Sequence, residues 1–136
     1  MDFNQTSLEL EKHRAYLNEI PKEEITHLIK SVIFYLEQKK IFQEEELKKI
    51  NLSVLTNDPF NNLYFKYNKE RLPLAGSVYL QENDNLIFTV SLCYHFKMRN
   101  LLIVKRSNSQ QSEILELFLE ILSNNQCKSD FIKIIQ

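Results

Sequence analysis

Glycine is all but missing from this chain: Gly76 is the only one in 136 residues. Phosphate-binding loops of the P-loop and dinucleotide kinds need several positions that tolerate positive φ and close backbone approach, so both are excluded. Tryptophan is absent and proline occurs three times. Cys93 and Cys127 are the only cysteines, and so few thiols in a chain that can build its own core read as reduced and cytosolic. The N-terminus, MDFNQTSLELEKHR, lacks the basic region and apolar run of a secretory signal. The uncharged run 86–96 has 11 residues, against the roughly 20 that cross a bilayer as a helix, so no membrane span is expected.

What is present is ample material for a core. Nine Phe, six Tyr and a hydrophobic share of 43% describe one domain over 1–136, long enough to bury roughly 70% of the surface its unfolded chain exposes. The charge is segregated. Residues 1–60 carry 8 Lys/Arg against 11 Asp/Glu, residues 61–106 carry 7 against 3, and residues 107–136 carry 2 against 4. A basic middle between acidic flanks either faces an anionic partner or is neutralised by its own helices.

Residues 1–52 read as helical. Thr6 with Glu9 three residues on forms a capping box, and Pro21, Glu23 and Glu24 suit the first turn of a second helix. In that helix Ile25, Leu28, Ile29, Val32, Ile33 and Leu36 recur at spacings of three and four, which predicts one buried face. The EEELKKI stretch predicts a further helix with Leu47 and Ile50 inward. Its triplet Glu44, Glu45 and Glu46 would repel phosphates, which argues against a DNA-reading helix-turn-helix.

Past Pro59 the period changes to two, and residues 61–106 read as sheet. NLYFKYN and SVYLQ alternate. An ENDN turn over 82–85 then predicts a hairpin in which Leu80 opposes Phe88 and Val78 opposes Val90. The strand 86–96 would place Leu92, Tyr94 and Phe96 in the core and Ser91, Cys93 and His95 on the opposite face. NLLIVKR is apolar on both faces, as an interior strand is. A helix over 109–123 follows, and FIKII at 131–135 reads as an edge strand, reached by a crossover from NLLIVKR. The expected fold is α+β: an antiparallel sheet of about four strands packed with N-terminal helices and one C-terminal helix.

The SLCYHFKMR stretch sets a thiol and an imidazole on one strand face. Residues i and i+2 stand about 7 Å apart there, too far for a nucleophile and its base. His13, His27 and His95 fall in three different elements with no zinc-type spacing, so no metal and no cofactor is expected. The order of helix, antiparallel strands, helix and strand, with LLIVKRSNSQQSEILELFLEIL, resembles the restriction-endonuclease-like family over about the last 60 residues. The resemblance implies Lys105 as the family lysine and Asp84 as a first metal carboxylate. That family carries an acid two residues before its lysine, where this chain has the apolar Ile103, so a metal site there would lack a hard ligand.

With no catalytic set assembled, the expected function is a small non-catalytic protein-binding module of the inhibitor, immunity, adaptor or chaperone kind. Tyr79, Cys93, His95, Lys97 and Arg99 are its expected binding surface. The expected partner is another protein, with a second copy of the chain as a further candidate. The alternative is a nucleic-acid-associated protein with a degenerate restriction-endonuclease-like fold, in which the basic, aromatic middle (Tyr64, Lys66, Tyr67, Lys69, Arg71, Tyr79, Lys97, Arg99, Lys105, Arg106) meets phosphates and bases.

Overall fold

A computed structural model describes residues 2–55 and 76–136. The N-terminal part is helical: α1 (Phe3–Leu10), a 3-10 turn (Glu11–His13), α2 (Arg14–Glu19), α3 (Lys22–Gln38) and α4 (Glu44–Leu55). Then come β1 (Ser77–Leu80), α5 (Asn85–Lys97), β2 (Leu101–Lys105), α6 (Ser109–Asn124) and β3 (Ile132–Ile135). The NLYFKYN segment, with Tyr64, Lys66, Tyr67, Lys69 and Arg71, lies outside the described residues.

The sheet among the described residues has three strands in the order β1-β2-β3, and both pairings are parallel. This corrects the expected antiparallel sheet of about four strands. The hairpin is replaced by a crossover, because residues 86–96 form most of helix α5 and not a strand. Asp84, expected in a turn, is the N-cap: its Oδ1 accepts a hydrogen bond from the Ile87 amide at 2.9 Å. A carboxylate at that position satisfies an orphan amide and suits the positive end of the helix dipole.

The reason α5 escapes a periodicity reading is its surroundings. Every residue from 88 to 96 is buried, so the helix has no polar stripe, and an apolar run without a stripe looks the same as a buried strand. With helix α5 between them, β1 and β2 are joined by a crossover long enough for the parallel pairing that they adopt. The register sets Ser77 beside Leu101 and Leu80 beside Val104, then Leu102 beside Ile132 and Lys105 beside Ile135.

β2 is the central strand. Leu101, Leu102, Ile103 and Val104 are fully buried, so both faces of the strand are covered. Helix α5 packs on β1 and β2, α1 packs on β2, and α3, α4, α5 and α6 pack among themselves. Where α5, α6 and the start of β3 meet, the Phe96 ring stacks on Phe131 at 5.7 Å and meets Phe118 edge-on at 5.4 Å.

In α3 all six periodic residues are buried. The N-cap of the first helix differs from expectation. Asp2 caps α1 through the Gln5 amide, while Thr6 lies a turn inside and donates its hydroxyl to the Asp2 carbonyl.

Candidate functional site

Of the expected surface residues, His95, Lys97 and Arg99 lie at the corner where α5 turns into β2. The helix ends with the Asn100 amide donating to the His95 carbonyl at 2.9 Å, a closure that needs a left-handed residue one position earlier. That residue is Arg99, at φ 61, a conformation usually left to glycine and costing roughly 1 kcal/mol elsewhere. Its guanidinium compensates: Nη1 donates to the Leu17 carbonyl at 2.7 Å and the Asn18 carbonyl at 3.4 Å, closing the end of α2. Lys97 does the same for α4, its Nζ donating to the Val54 carbonyl at 2.7 Å. Arg14 donates to the Gly76 carbonyl at 3.0 Å and forms an ion pair with Glu11. Three cations of this corner thus hold backbone carbonyls, two of them at helix C-termini, where positive charge is favoured.

Cys93 and His95 do not share a face. On a helix, residues two apart point about 200° away from each other, and both side chains are buried. Burial pushes the Cys93 thiol up to about 12, which keeps it protonated and a poor nucleophile.

His95 belongs to a buried polar network. The Gly76 amide donates to Asn100 Oδ1 at 2.7 Å, which fixes the orientation of the Asn100 side chain and leaves its Nδ2 beside His95 Nδ1 at 2.9 Å. Since Nδ2 can only donate, Nδ1 accepts and the ring carries its proton on Nε2. Burial lowers the His95 pKa to about 4, the neutral state this network requires. The network joins the end of α5 to the approach to β1, as does the hydrogen bond from the Leu101 amide to the Gly76 carbonyl.

Tyr79 stands apart from this corner. It is 39% exposed on β1, its ring meets Phe3 of α1 edge-on at 6.2 Å, and Phe3 is itself 37% exposed. Of the five expected residues, the structure therefore places Tyr79 at the surface, buries Cys93 and His95, and half-buries Lys97 and Arg99.

Three clefts open nearby or elsewhere. One of about 250 Å³ is lined by Tyr16, Glu19, Glu24 and Cys127; its Tyr16 hydroxyl accepts from the Lys128 amide at 2.8 Å, and the Lys128 ammonium lies 5.8 Å from the ring centre. Burial raises both the Tyr16 and the Cys127 pKa. A second, of about 330 Å³, lies beside Arg106, Asn108 and Ile135. A third, of about 230 Å³, lies between the start of α3 and the end of α5, lined by Lys22, Ile25, Thr26, Lys97, Met98 and Arg99.

Sequence reasoning missed Asn100, Lys22 and Phe3. Asn100 had a usable signal, since Asn just beyond a run of apolar residues marks a helix end. Lys22 and Phe3 had none, because their neighbours Lys97 and Tyr79 lie more than 70 residues away in sequence. Among the described residues no group of three or more His, Cys, Asp or Glu side chains could hold a metal ion, and no helix is long and apolar enough to cross a membrane. Lys105 ends β2, and Asp84 serves as the N-cap of α5. The chain matches no protein-family model, no curated protein and no solved structure.

Proposed function

We propose that this chain is a small non-catalytic module that binds another protein, in the manner of an inhibitor, immunity-type protein, adaptor or chaperone. The observation that carries this reading is the exposed aromatic pair Phe3 and Tyr79 at the junction of α1 and β1. Aromatic side chains offer large contact area at low entropic cost and are enriched at the energetic centres of interfaces. The chemistry-bearing side chains support it from the other direction. Cys93 and His95 are enclosed, and Lys97, Arg99 and Arg14 are engaged by backbone carbonyls.

The test is comparative affinity capture from the native host with wild type and with a Phe3→Ser/Tyr79→Ser double variant, both checked for unchanged thermal unfolding. A protein retained by wild type and lost from the variant, then shown to bind the purified chain by calorimetry, is the expected result. Retention of DNA or RNA in place of protein, with a gel shift that survives about 150 mM salt, overturns the reading in favour of the nucleic-acid alternative. Equal capture by both chains removes Phe3 and Tyr79 from the interface.

A further inference from the structure

The sheet ends at β3. The strand order β1-β2-β3 gives β3 a single neighbour, β2, among the described residues. The register turns the Lys133 and Ile135 amides to β2, so the Ile134 amide and carbonyl and the Ile132 carbonyl face outward, and none of these joins a hydrogen bond. A row of open donors and acceptors along β-branched residues is a template for one more strand. The charges beside that edge bear on what the added strand must carry. Ile103 stands beside Lys133 and Lys105 beside Ile135, so the two lysines share one face of the sheet, while Ile132 and Ile134 share the other. Lys133 is exposed and Lys105 half-buried. Neither lysine takes part in an ion pair, and neither does Asp130, the acid that precedes β3. Where the edge ends, a cleft of about 330 Å³ opens, lined by Arg106, Ser107, Asn108, Ser112, Ile135 and Gln136. No Asp or Glu lines it, and the Arg106 side chain has no hydrogen-bond or ion-pair partner within the described chain.

We propose that the β3 edge binds an extended segment of a partner protein in which acidic and apolar residues alternate, added to the sheet as a further strand. The backbone of the segment pairs with Ile132 and Ile134, which supplies affinity without regard to sequence. Its side chains supply the choice of partner. Alternation puts the acids on the face of Lys133 and Lys105 and the apolar residues beside Ile132 and Ile134, and opposite charges on neighbouring strands stabilise the pairing. An acid past the end of the pairing meets Arg106 in the cleft, where a guanidinium and a carboxylate form short charge-assisted hydrogen bonds. A second copy of the chain fits the edge less well. Two β3 strands paired about a two-fold axis keep the same face up, so the lysines of both copies gather on one face with no acid between them, and like charges across strands are destabilising.

The full chain is titrated with a synthetic peptide of alternating glutamate and valine, its ends blocked, and followed by amide shifts and amide exchange in proton–nitrogen NMR. Saturable shifts at the Lys133, Ile134 and Ile135 amides are expected, and the Ile134 amide, open in the free chain, becomes protected in the complex. In Lys133→Glu the affinity falls at least about fivefold, while Tyr79→Ser leaves it unchanged. Lys133 is exposed, so the variant folds, which its melting curve verifies. The same peptide N-methylated throughout cannot donate to the Ile132 and Ile134 carbonyls and should not bind. Absence of saturable shifts at the β3 amides up to about 10 mM peptide, equal affinity in Lys133→Glu, or equal binding by the N-methylated peptide or by a lysine–valine peptide overturns the proposal. Shifts confined to Ser77 and Tyr79 overturn it in favour of the other edge of the sheet. Protection of Ile134 in the peptide-free chain that is lost on dilution overturns it in favour of a second copy, and a single-stranded oligothymidylate that displaces the peptide overturns it in favour of nucleic acid. Unchanged affinity in Arg106→Ala overturns the role given to the cleft. Tyr79 lies on β1, the opposite edge from β3, so this edge and the aromatic interface stand or fall separately.

Discussion

His95 is 1% exposed and titrates from inside the protein. Its pKa falls from the ordinary 6.5 to about 4 on folding, so between those values the unfolded chain binds the proton and the folded chain does not. Stability is therefore fully present above about pH 6.5 and is lost as pH falls toward 4, by up to roughly 3 kcal/mol for this one group. Urea unfolding at pH 7.5, 6 and 5 should show that decline, and His95→Gln should flatten it, since an amide cannot take up the proton. The same burial governs the thiols. Cys93, raised to about 12, and Cys127, raised by burial and only 5% exposed, should resist iodoacetamide at pH 7.5 in the folded protein and react in urea. A fast native-state reaction at Cys93 would mean that α5 opens. Neither burial could be read from SLCYHFKMR, because alternation assigns a residue to a face without saying whether that face is covered.

Helix α5 carries the largest difference between sequence and structure. Its β-branched and aromatic content favours a strand, and burial all round removes the stripe that would reveal a helix. Length was the usable signal: a strand averages five or six residues, and 11 uncharged positions in a row fit a buried helix better. The caps were a second signal, with Asp84 before the run and Asn100 after it. By contrast α3 was legible because one side stays wet, so Ile25 through Leu36 keep a visible period. Two substitutions test the helix. Asp84→Ala should cost about 1 kcal/mol, the usual loss for an N-cap, whereas a carboxylate in a solvated hairpin turn would cost close to nothing. Phe96→Ala should cost about 3–5 kcal/mol, because its ring is wedged between Phe118 and Phe131. Chemical denaturation of both variants gives the two figures, and a small loss in Phe96→Ala would mean that the site collapses around the cavity.

At the scale of the whole molecule the parallel sheet follows from chain arithmetic. The crossover from β2 to β3 was legible from the two dozen residues between NLLIVKR and FIKII, and the twenty residues between Leu80 and Leu101 satisfy the same requirement. The apolar matching of Leu80 with Phe88 obscured it, since a register can be written for any two apolar runs. The parallel ladder makes a residue-by-residue prediction for amide exchange. The Leu101 amide donates to the Gly76 carbonyl and the Leu102 amide to the Phe131 carbonyl, so successive amides of β2 turn alternately to β1 and β3, and all five are paired. They should exchange only through global unfolding. In β3 the register directs the Lys133 and Ile135 amides to β2 and turns the Ile134 amide outward. Exchange measured by NMR should therefore be slow at Lys133 and Ile135 and fast at Ile134. Slow exchange at Ile134 that becomes fast on dilution would identify β3 as the edge along which two copies of the chain join, because only a partner strand could protect an amide that faces away from its own sheet.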